Sequence, residues 1–444
     1  MSFGISNLVF LVVMIGSFAY FGYNISKIFA AINLGKPINR FDNPFERLGV
    51  MIKVAFGQSK MMVRIIPALL HLAVYVGFVL INIEVLEIII DGVFGTHRVM
   101  APVIGEGYNS LIGFFEFLAL SVLIACVLFL TRRNYLKIKR FWSPEMSGWP
   151  QKDANTILYL EISFMTALLI MNGADSVLQA RGVEHYPQVG SFAISSFLTA
   201  PWLNLLETNI LIFIERALWW FHILGIFFFL NYLYYSKHLH IMFAFPNTFF
   251  SKLRPKGEFD NVAAVTREVN LMMDPNADPY AAADPSTEGE AKVFGAKDVK
   301  DLSKVQLLNA YTCTECGRCT SVCPANLTGK LLSPRKIMMS TRDRLEDITK
   351  NITQNKGTFV DDGKTLHDYI SAEELWACTS CNGCTEACPI NIDPLSIIVD
   401  MRRYLVMENS AAPKELNIMM SNIENNGAPW PFGVQDRFKW AEEI

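Results

Sequence analysis

Apolar residues are gathered into five long runs, roughly 3–31, 65–90, 111–130, 157–177 and 210–235, separated by short polar connections. Each run reaches the length of about 20 residues that a helix rising 1.5 Å per residue needs to cross about 30 Å of hydrocarbon. The pattern changes after about residue 250. Residues 251–300 are polar and rich in Asp-Pro and Ala, as in Asp274-Pro275-Asn276-Ala277-Asp278-Pro279, and read as a tether with little core of its own. From 301 onward helical patterning returns, for example over 375–378 and 394–407, without any run long enough to span a membrane. The expected chain is all-α: a five-helix membrane bundle over 1–250, a polar linker over 251–300 and a helical soluble domain over 301–444.

The first run has no basic residue ahead of it and no small-residue cleavage site after it, so it reads as a retained helix rather than a secretory signal. Basic residues set the orientation. The first connection carries Lys36, Arg40, Arg47, Lys53 and Lys60, and the third Arg132, Arg133, Lys137, Lys139, Arg140 and Lys152. The 91–110 loop offers only Arg98 and the 178–209 loop only Arg181. Positive residues stay inside, which puts the N-terminus outside a cytoplasmic (inner) membrane and the C-terminal domain in the cytoplasm. Composition agrees with a chain largely in lipid, at 51% hydrophobic residues and 32 Phe. The net charge of -3 gives no basic field for nucleic acid.

Eight of the nine cysteines form two near-copies of one motif, Cys313-x2-Cys316-x2-Cys319-x3-Cys323-Pro324 and Cys378-x2-Cys381-x2-Cys384-x3-Cys388-Pro389. In two-cluster ferredoxins three thiolates of such a run hold one four-iron cube, and the fourth ligates the other cube. The expected sets are therefore Cys313, Cys316, Cys319 and Cys388 for one [4Fe-4S] cluster and Cys378, Cys381, Cys384 and Cys323 for the second. Zinc ribbons use paired C-x2-C units without a third cysteine at the same step or a closing Cys-Pro. The 54 residues between Cys323 and Cys378 exceed what a minimal ferredoxin needs, so a helical ferredoxin module is expected rather than the small α+β form. The remaining thiol, Cys126, lies in the third apolar run, which leaves the soluble part no spare cysteine for disulfide chemistry. No strand–GxGxxG–helix unit and no phosphate-cradling GxxxxGK[ST] run is present, so nucleotide and flavin chemistry is assigned to a partner.

Histidines supply the second candidate chemistry. His71 lies in the second run and His222 in the fifth, with His238 and His240 just beyond it. On one continuous helix the 18 residues from His222 to His240 make five turns, so the two share a face about 27 Å apart, while His238 falls about 160° from His222. That stripe suits b-type haem; it equally suits an interfacial His240 beside Lys237 and a hydrogen-bonded core His222. Among ionisable residues at membrane depth, Glu84, Glu87, Glu116, Glu161, Asp175 and the Glu215-Arg216 pair, most lie near run ends, where snorkelling to water is the ordinary expectation.

The segments Phe221-His222-Ile223-Leu224-Gly225, His238-Leu239-His240-Ile241 and Leu70-His71-Leu72 resemble the five-helix cytochromes b of the respiratory nitrate reductase gamma subunit family, over about the first 245 residues. The resemblance implies haem ligands at His71, His222 and His240, with His71 and His240 sharing the inner haem. Ile81 stands where that family has a second helix-two histidine, so a second haem on His222 would need a substitute such as His97 or His185; otherwise His222 contacts a quinone or a propionate. The C-terminal part, through Cys313-Thr-Glu-Cys316-Gly-Arg-Cys319, Thr328-Gly329-Lys330, Glu374-Leu375-Trp376-Ala377-Cys378 and Asp400-Met401-Arg402-Arg403-Tyr404-Leu405, resembles the iron–sulfur region of heterodisulfide reductase-related proteins. Members of that group that pass electrons from electron-transfer flavoprotein to menaquinone join such a cytochrome b to such a ferredoxin and continue into a cysteine-rich CCG domain. The expected function is the membrane subunit of a quinone-linked oxidoreductase, with two [4Fe-4S] clusters, haem b, a menaquinone pool and a separate CCG-domain iron–sulfur subunit, its substrate site on a partner chain. The rival readings are a membrane-anchored ferredoxin that recruits a redox partner without haem, and a methanophenazine- or thiol-linked reductase.

Overall fold

The computed structural model describes residues 4–276 and 293–442; Phe3 of the first apolar run and linker residues 277–292 lie outside them. Among the described residues the chain is helical, with no strand and a single isolated bridge between Lys36 and Ser303. The membrane helices are α1 (Ile5–Ile32), α2 (Ile65–Phe94), α3 (Gly107–Leu130, carried to Tyr135 by a π-turn), α4 (Trp149–Ala180) and α5 (Thr208–Tyr232, carried to Tyr235 by a 3-10 turn). Among the described residues five helices are long and apolar enough to cross a membrane. These helices outrun the apolar stretches: α4 begins at Trp149, where the hydropathy pattern begins only near 157. Lipid selects the apolar middle of a helix, whereas hydrogen bonding continues it into the polar ends.

α4 lies between α3 and α5, and α1 packs on α2 and α5. Apolar residues such as Val12, Ile15 and Phe18 on α1 face outward, as a lipid-facing surface requires. Close helix contacts rest on small residues. A Cβ at Gly77 of α2 would collide with Val122 of α3, and one at Gly225 of α5 with the Phe164 ring of α4.

The C-terminal domain is built on α7 (Lys304–Thr312), α8 (Pro334–Gln354) and α9 (Pro394–Met407), preceded in sequence by α6 (His240–Phe249) and followed by α10 (Lys414–Asn426). Ser303 and Ser333 cap α7 and α8 through hydrogen bonds from the Gln306 and Lys336 amides, and Pro334 opens α8. α8 buries Ile337, Met338, Leu345 and Ile348 along one face.

Two expectations are corrected. The fifth run does not continue as one helix to His240, because Ser236 adopts an extended backbone (φ -111°, ψ 145°). The groups freed by this break are satisfied locally: Ser236 Oγ accepts from the His238 amide at 3.0 Å, and Asp153 of α4 accepts from the Lys237 amide at 3.1 Å and the Tyr232 hydroxyl at 2.6 Å. His240 therefore opens α6, and the shared-stripe argument for His222 and His240 fails. The linker also departs from the expectation: it carries a mostly exposed helix, and it ends before residue 296. Ala263–Met273 is helical, and 296–301 belongs to the domain core, where Ala296 and Val299 are fully buried and Asp298 pairs with the buried Arg344 of α8 at 2.7 Å.

The domain is docked on the bundle and not merely tethered. Arg318 donates to the Lys60 carbonyl at 3.0 Å, Arg64 to Ser321 Oγ at 2.8 Å, Arg335 to the Arg140 carbonyl and to Glu145, both at 2.6 Å, and Asn247 of α6 to the Ile390 carbonyl at 2.7 Å. Residues 36–64, 140–150 and 237–251 thus form the near end of the bundle. The loops around Arg98 and His185 form the far end.

Candidate functional site

Each cysteine run is a loop with the same unusual backbone. Glu315 and Gly317 in the first, and Ser380 and Asn382 in the second, occupy the equivalent positions after the first cysteine and all have positive φ (55°, 68°, 55° and 58°). Only such left-handed turns bend a C-x2-C-x2-C segment tightly enough to aim successive thiols inward. Asn391, past the second Cys-Pro, has φ 59°.

The two loops face each other so that the runs interlock. One cavity is lined by Cys313, Cys316 and Cys319 of the first run together with Cys384 and Cys388 of the second. Among the thiols, Cys388 interacts electrostatically with Cys316 and Cys313, and Cys378 with Cys323 and Cys381. The fourth cysteine of each run thus lies with the opposite run. All eight are free thiols. Among the described residues no three His, Cys, Asp or Glu side chains converge on a single ion; thiolates on the corners of a four-iron cube stand further apart than ligands of one ion. Burial pushes the Cys313 thiol up to about 11 and the Cys384 and Cys388 thiols up to about 12. Thiols so placed become thiolates only against strong positive charge, which bound iron supplies.

The protein adds positive charge of its own around the first set. Arg318 and Arg335 line the cavity, and Arg140 and Lys60, from the near-end connections, face Cys316 and Cys388. The amides of Ile392 and Ser380 donate to Cys388 and Cys378 sulfur at 3.3 and 3.4 Å. The donor set, the charge and the sulfur hydrogen bonds fit anionic iron–sulfur clusters. The second set lies nearer solvent: Cys381 is exposed and Cys378 half-buried.

Directly below the first loop lie three histidines. The His71 and His240 rings are 6.5 Å apart, and His238 is 5.3 Å from His240. Two imidazoles binding one metal from opposite sides at about 2 Å place their ring centres roughly 6–6.5 Å apart. His240 Nδ1 is 3.1 Å from the Lys237 carbonyl, an arrangement that leaves Nε2 to a metal, while His71 Nδ1 is buried with no partner. The residues present therefore fit a bis-histidine haem. An ionic seam joins this segment to the cysteine loop: Lys237 pairs with Glu315, which Arg342 holds from the other side at 2.7 Å.

His222 is buried in α5, with Nδ1 3.2 Å from the Phe164 carbonyl. The substitutes considered for it are not brought to it. The His97 and His185 rings lie 5.3 Å apart at the far end, tilted by 42°, and His97 Nε2 lies 3.4 Å from Asp175. The snorkelling expectation is overturned as well. Glu84, Glu87, Glu116, Asp175 and Glu215 are at most 2% exposed and Glu161 only 8%; Arg98 folds back from its loop into the bundle and pairs there with Glu84 and Asp175.

Residues 312–392 match the 4Fe-4S dicluster domain. The chain is 27% identical, over 98% of its length, to a probable iron-sulfur-binding oxidoreductase FadF of Bacillus subtilis. It is 24% identical, over 91% of its length, to the EtfAB:quinone oxidoreductase of Syntrophomonas wolfei. It spans 61% and 55% of the lengths of these two relatives. Over 36% of the chain it is 28% identical to a C-like heterodisulfide reductase protein of Archaeoglobus profundus, covering 72% of that protein. No solved structure matches. The first two relatives are named as oxidoreductases, which supports a redox role for this chain.

Sequence reasoning set His238 aside on helix geometry and gave no role to Lys237, Glu315, Arg318 or Arg335. Glu315 and Arg318 sit inside the cysteine motif, and a charged residue in so tight a loop was the available signal. Lys237 and Arg335 carried none, since their partners Glu315 and Glu145 are 78 and 190 residues away in sequence.

Proposed function

We infer that the chain is the membrane subunit of a quinone-linked oxidoreductase, moving electrons between a partner on the iron–sulfur side and a menaquinone-type pool in the bilayer. The observation that carries this reading is the joining of two candidate redox sites at one seam: Lys237, whose carbonyl meets the His240 ring, pairs with Glu315 inside the first cysteine loop, and Arg318 of that loop lies within electrostatic reach of both Cys316 and His71. When bound, two [4Fe-4S] clusters and haem b supply one-electron centres. The protein's residues then do the rest. Cys313, Cys316, Cys319 and Cys388 would hold the inner cluster, and Cys378, Cys381, Cys384 and Cys323 the outer one, where the exposed Cys381 leaves the site open to a docking partner. His71 and His240 hold the haem, Lys237 fixes the His240 ring through its carbonyl, and the Lys237–Glu315–Arg342 seam keeps the two sites in register.

Electron-transfer flavoprotein as the electron source is supported by the printed name of the Syntrophomonas relative, and a CCG-type partner by the resemblance of the C-terminal part to heterodisulfide reductase-related proteins. The scarcity of basic residues in the far-end loops, set against their number in the near-end connections, supports a cytoplasmic iron–sulfur domain. Pull-down of the tagged chain from detergent-solubilised membranes tests the partner, and reduced-minus-oxidised spectra test the haem. A chain that copurifies with a CCG-domain protein and shows a b-type band supports the reading; iron and sulfide without porphyrin leaves only the anchored ferredoxin.

A further inference from the structure

The far half of the bundle holds a buried charged network that the electron route does not use. Arg98 Nη1 donates to Glu84 at 3.1 Å, and its Nε and Nη2 to Asp175 at 3.3 and 3.2 Å; Nη2 also reaches Asn172 at 2.7 Å. Asn172 in turn donates to Glu116 at 3.2 Å. Glu87 accepts from the Tyr108 hydroxyl and the Met100 amide, and Asp91 from the Arg98 and Val99 amides. α5 adds Glu215, already engaged by Arg216 and by the Tyr186 hydroxyl, and the far-end stretch of α1, 5–13, has no titratable residue. Six carboxyl groups thus meet two guanidiniums. A low-dielectric bundle does not hold four uncompensated negative charges, so the network carries protons.

Two features give it direction. Exposure falls stepwise inward: His185 is exposed, and the side chains of His97, Arg98, Asp175 and Glu84 are 11%, 7%, 2% and 1% exposed. The inner end is open, because Glu84 Oε2 is buried with no hydrogen-bond partner while Oε1 is held by Arg98; at the outer end His97 Nε2, 3.4 Å from Asp175, is likewise buried without a hydrogen bond. A carboxyl oxygen left free at that depth costs stability unless something visits it.

We propose that the groups from His185 through His97 and Asp175 to the free oxygen of Glu84 form a proton path, which exchanges protons between the aqueous phase at the far end and the interior of the bundle. Arg98 does not titrate; it holds the two carboxyl groups against one guanidinium so that a proton hops between them. Taken with the quinone reading, on which this use of the path rests, the balance is complete: a quinone gains two electrons from the iron–sulfur side and two protons from the far side to become a quinol, and quinol oxidation reverses both flows. Turnover then moves charge across the membrane.

The test reads the path before it reads turnover. Infrared spectra of the full chain in lipid, transferred from H2O to D2O, should show a protonated carboxyl band that is absent in Glu84→Gln and that shifts within seconds. In Asp175→Asn and in His97→Phe the shift should slow at least tenfold. Cysteine-cluster absorbance serves as the folding control, and the exposed His185→Gln variant, expected to slow exchange severalfold, stands in if the buried variants do not fold. No band assignable to Glu84, or exchange unaltered in every variant, overturns the path. Quinol-driven reduction of the clusters is the second readout, expected to fall at least tenfold in Glu84→Gln with dithionite reduction unchanged. A native chain that exchanges as described but does not react with quinol refutes the quinone reading and leaves the path standing.

Discussion

The cysteine loops and the histidine site differ in how their chemistry is assembled. The first is local: eight candidate ligands come from two short runs that share left-handed turns two and four residues after their first cysteine. The second is built from α2 and from the broken segment after α5, residues 71 and 240, which meet only because Ser236 ends one helix and lets another begin. A local site tolerates little change within its motif and much outside it. An assembled site depends on every contact that positions the segments, including those of residues that touch no cofactor.

The largest expected effect follows from the local site. Cys316→Ser should remove the inner cluster, lowering iron and acid-labile sulfide to roughly half or less while b-type absorbance persists. His71→Ala should do the converse, abolishing b-type absorbance with cluster iron unchanged. Retention of full absorbance in that variant removes His71 from the ligand set.

Arg335→Ala sharpens the comparison, since Arg335 ligates nothing and is fully buried between the cysteine loop and the near-end connection. Removing one partner of a buried pair costs about 3–5 kcal/mol, so the urea midpoint for loss of cluster absorbance should drop markedly; an unchanged midpoint would show that docking does not rest on this contact. Gly225→Val should cost less, about 1–3 kcal/mol of overpacking against Phe164, and should disturb the b-type spectrum more than the clusters.

The smallest effect is a pH dependence of docking. Burial pushes the Glu145 carboxyl up, but hydrogen bonds from Arg335 and Ser333 outweigh it and hold the group below its ordinary value of 4.5. A carboxyl lowered in the folded state stabilises it fully above the unfolded value and stops doing so as pH falls through the folded one. Cluster loss on acidification should therefore begin below about pH 4.5, and Glu145→Gln should flatten that limb.

The five spans, the all-helical class and the cysteine runs were legible because each is periodic or local: hydropathy marks a helix wherever lipid touches it, and the C-x2-C-x2-C-x3-C-P spacing is itself a geometry. What escaped was decided by distant partners. Nothing around residue 236 announces a break, because Asp153, which satisfies the freed Lys237 amide, lies on another helix. Glu84 and Asp175 read as interfacial by position, yet both are buried and paired with Arg98, a lone basic residue in a loop. The role of residues 296–301 was hidden likewise, since Arg344 reaches Asp298 from 46 residues away.

The central claim is that paired iron–sulfur clusters sit against a histidine-held haem inside the bundle. A reduced-minus-oxidised difference spectrum of the purified chain, recorded beside its iron and sulfide content and repeated on His71→Ala, tests it most directly. The result expected is a b-type α band in the native chain that disappears in the variant at constant sulfide. Iron and sulfide in full with no porphyrin in the native chain would contradict it.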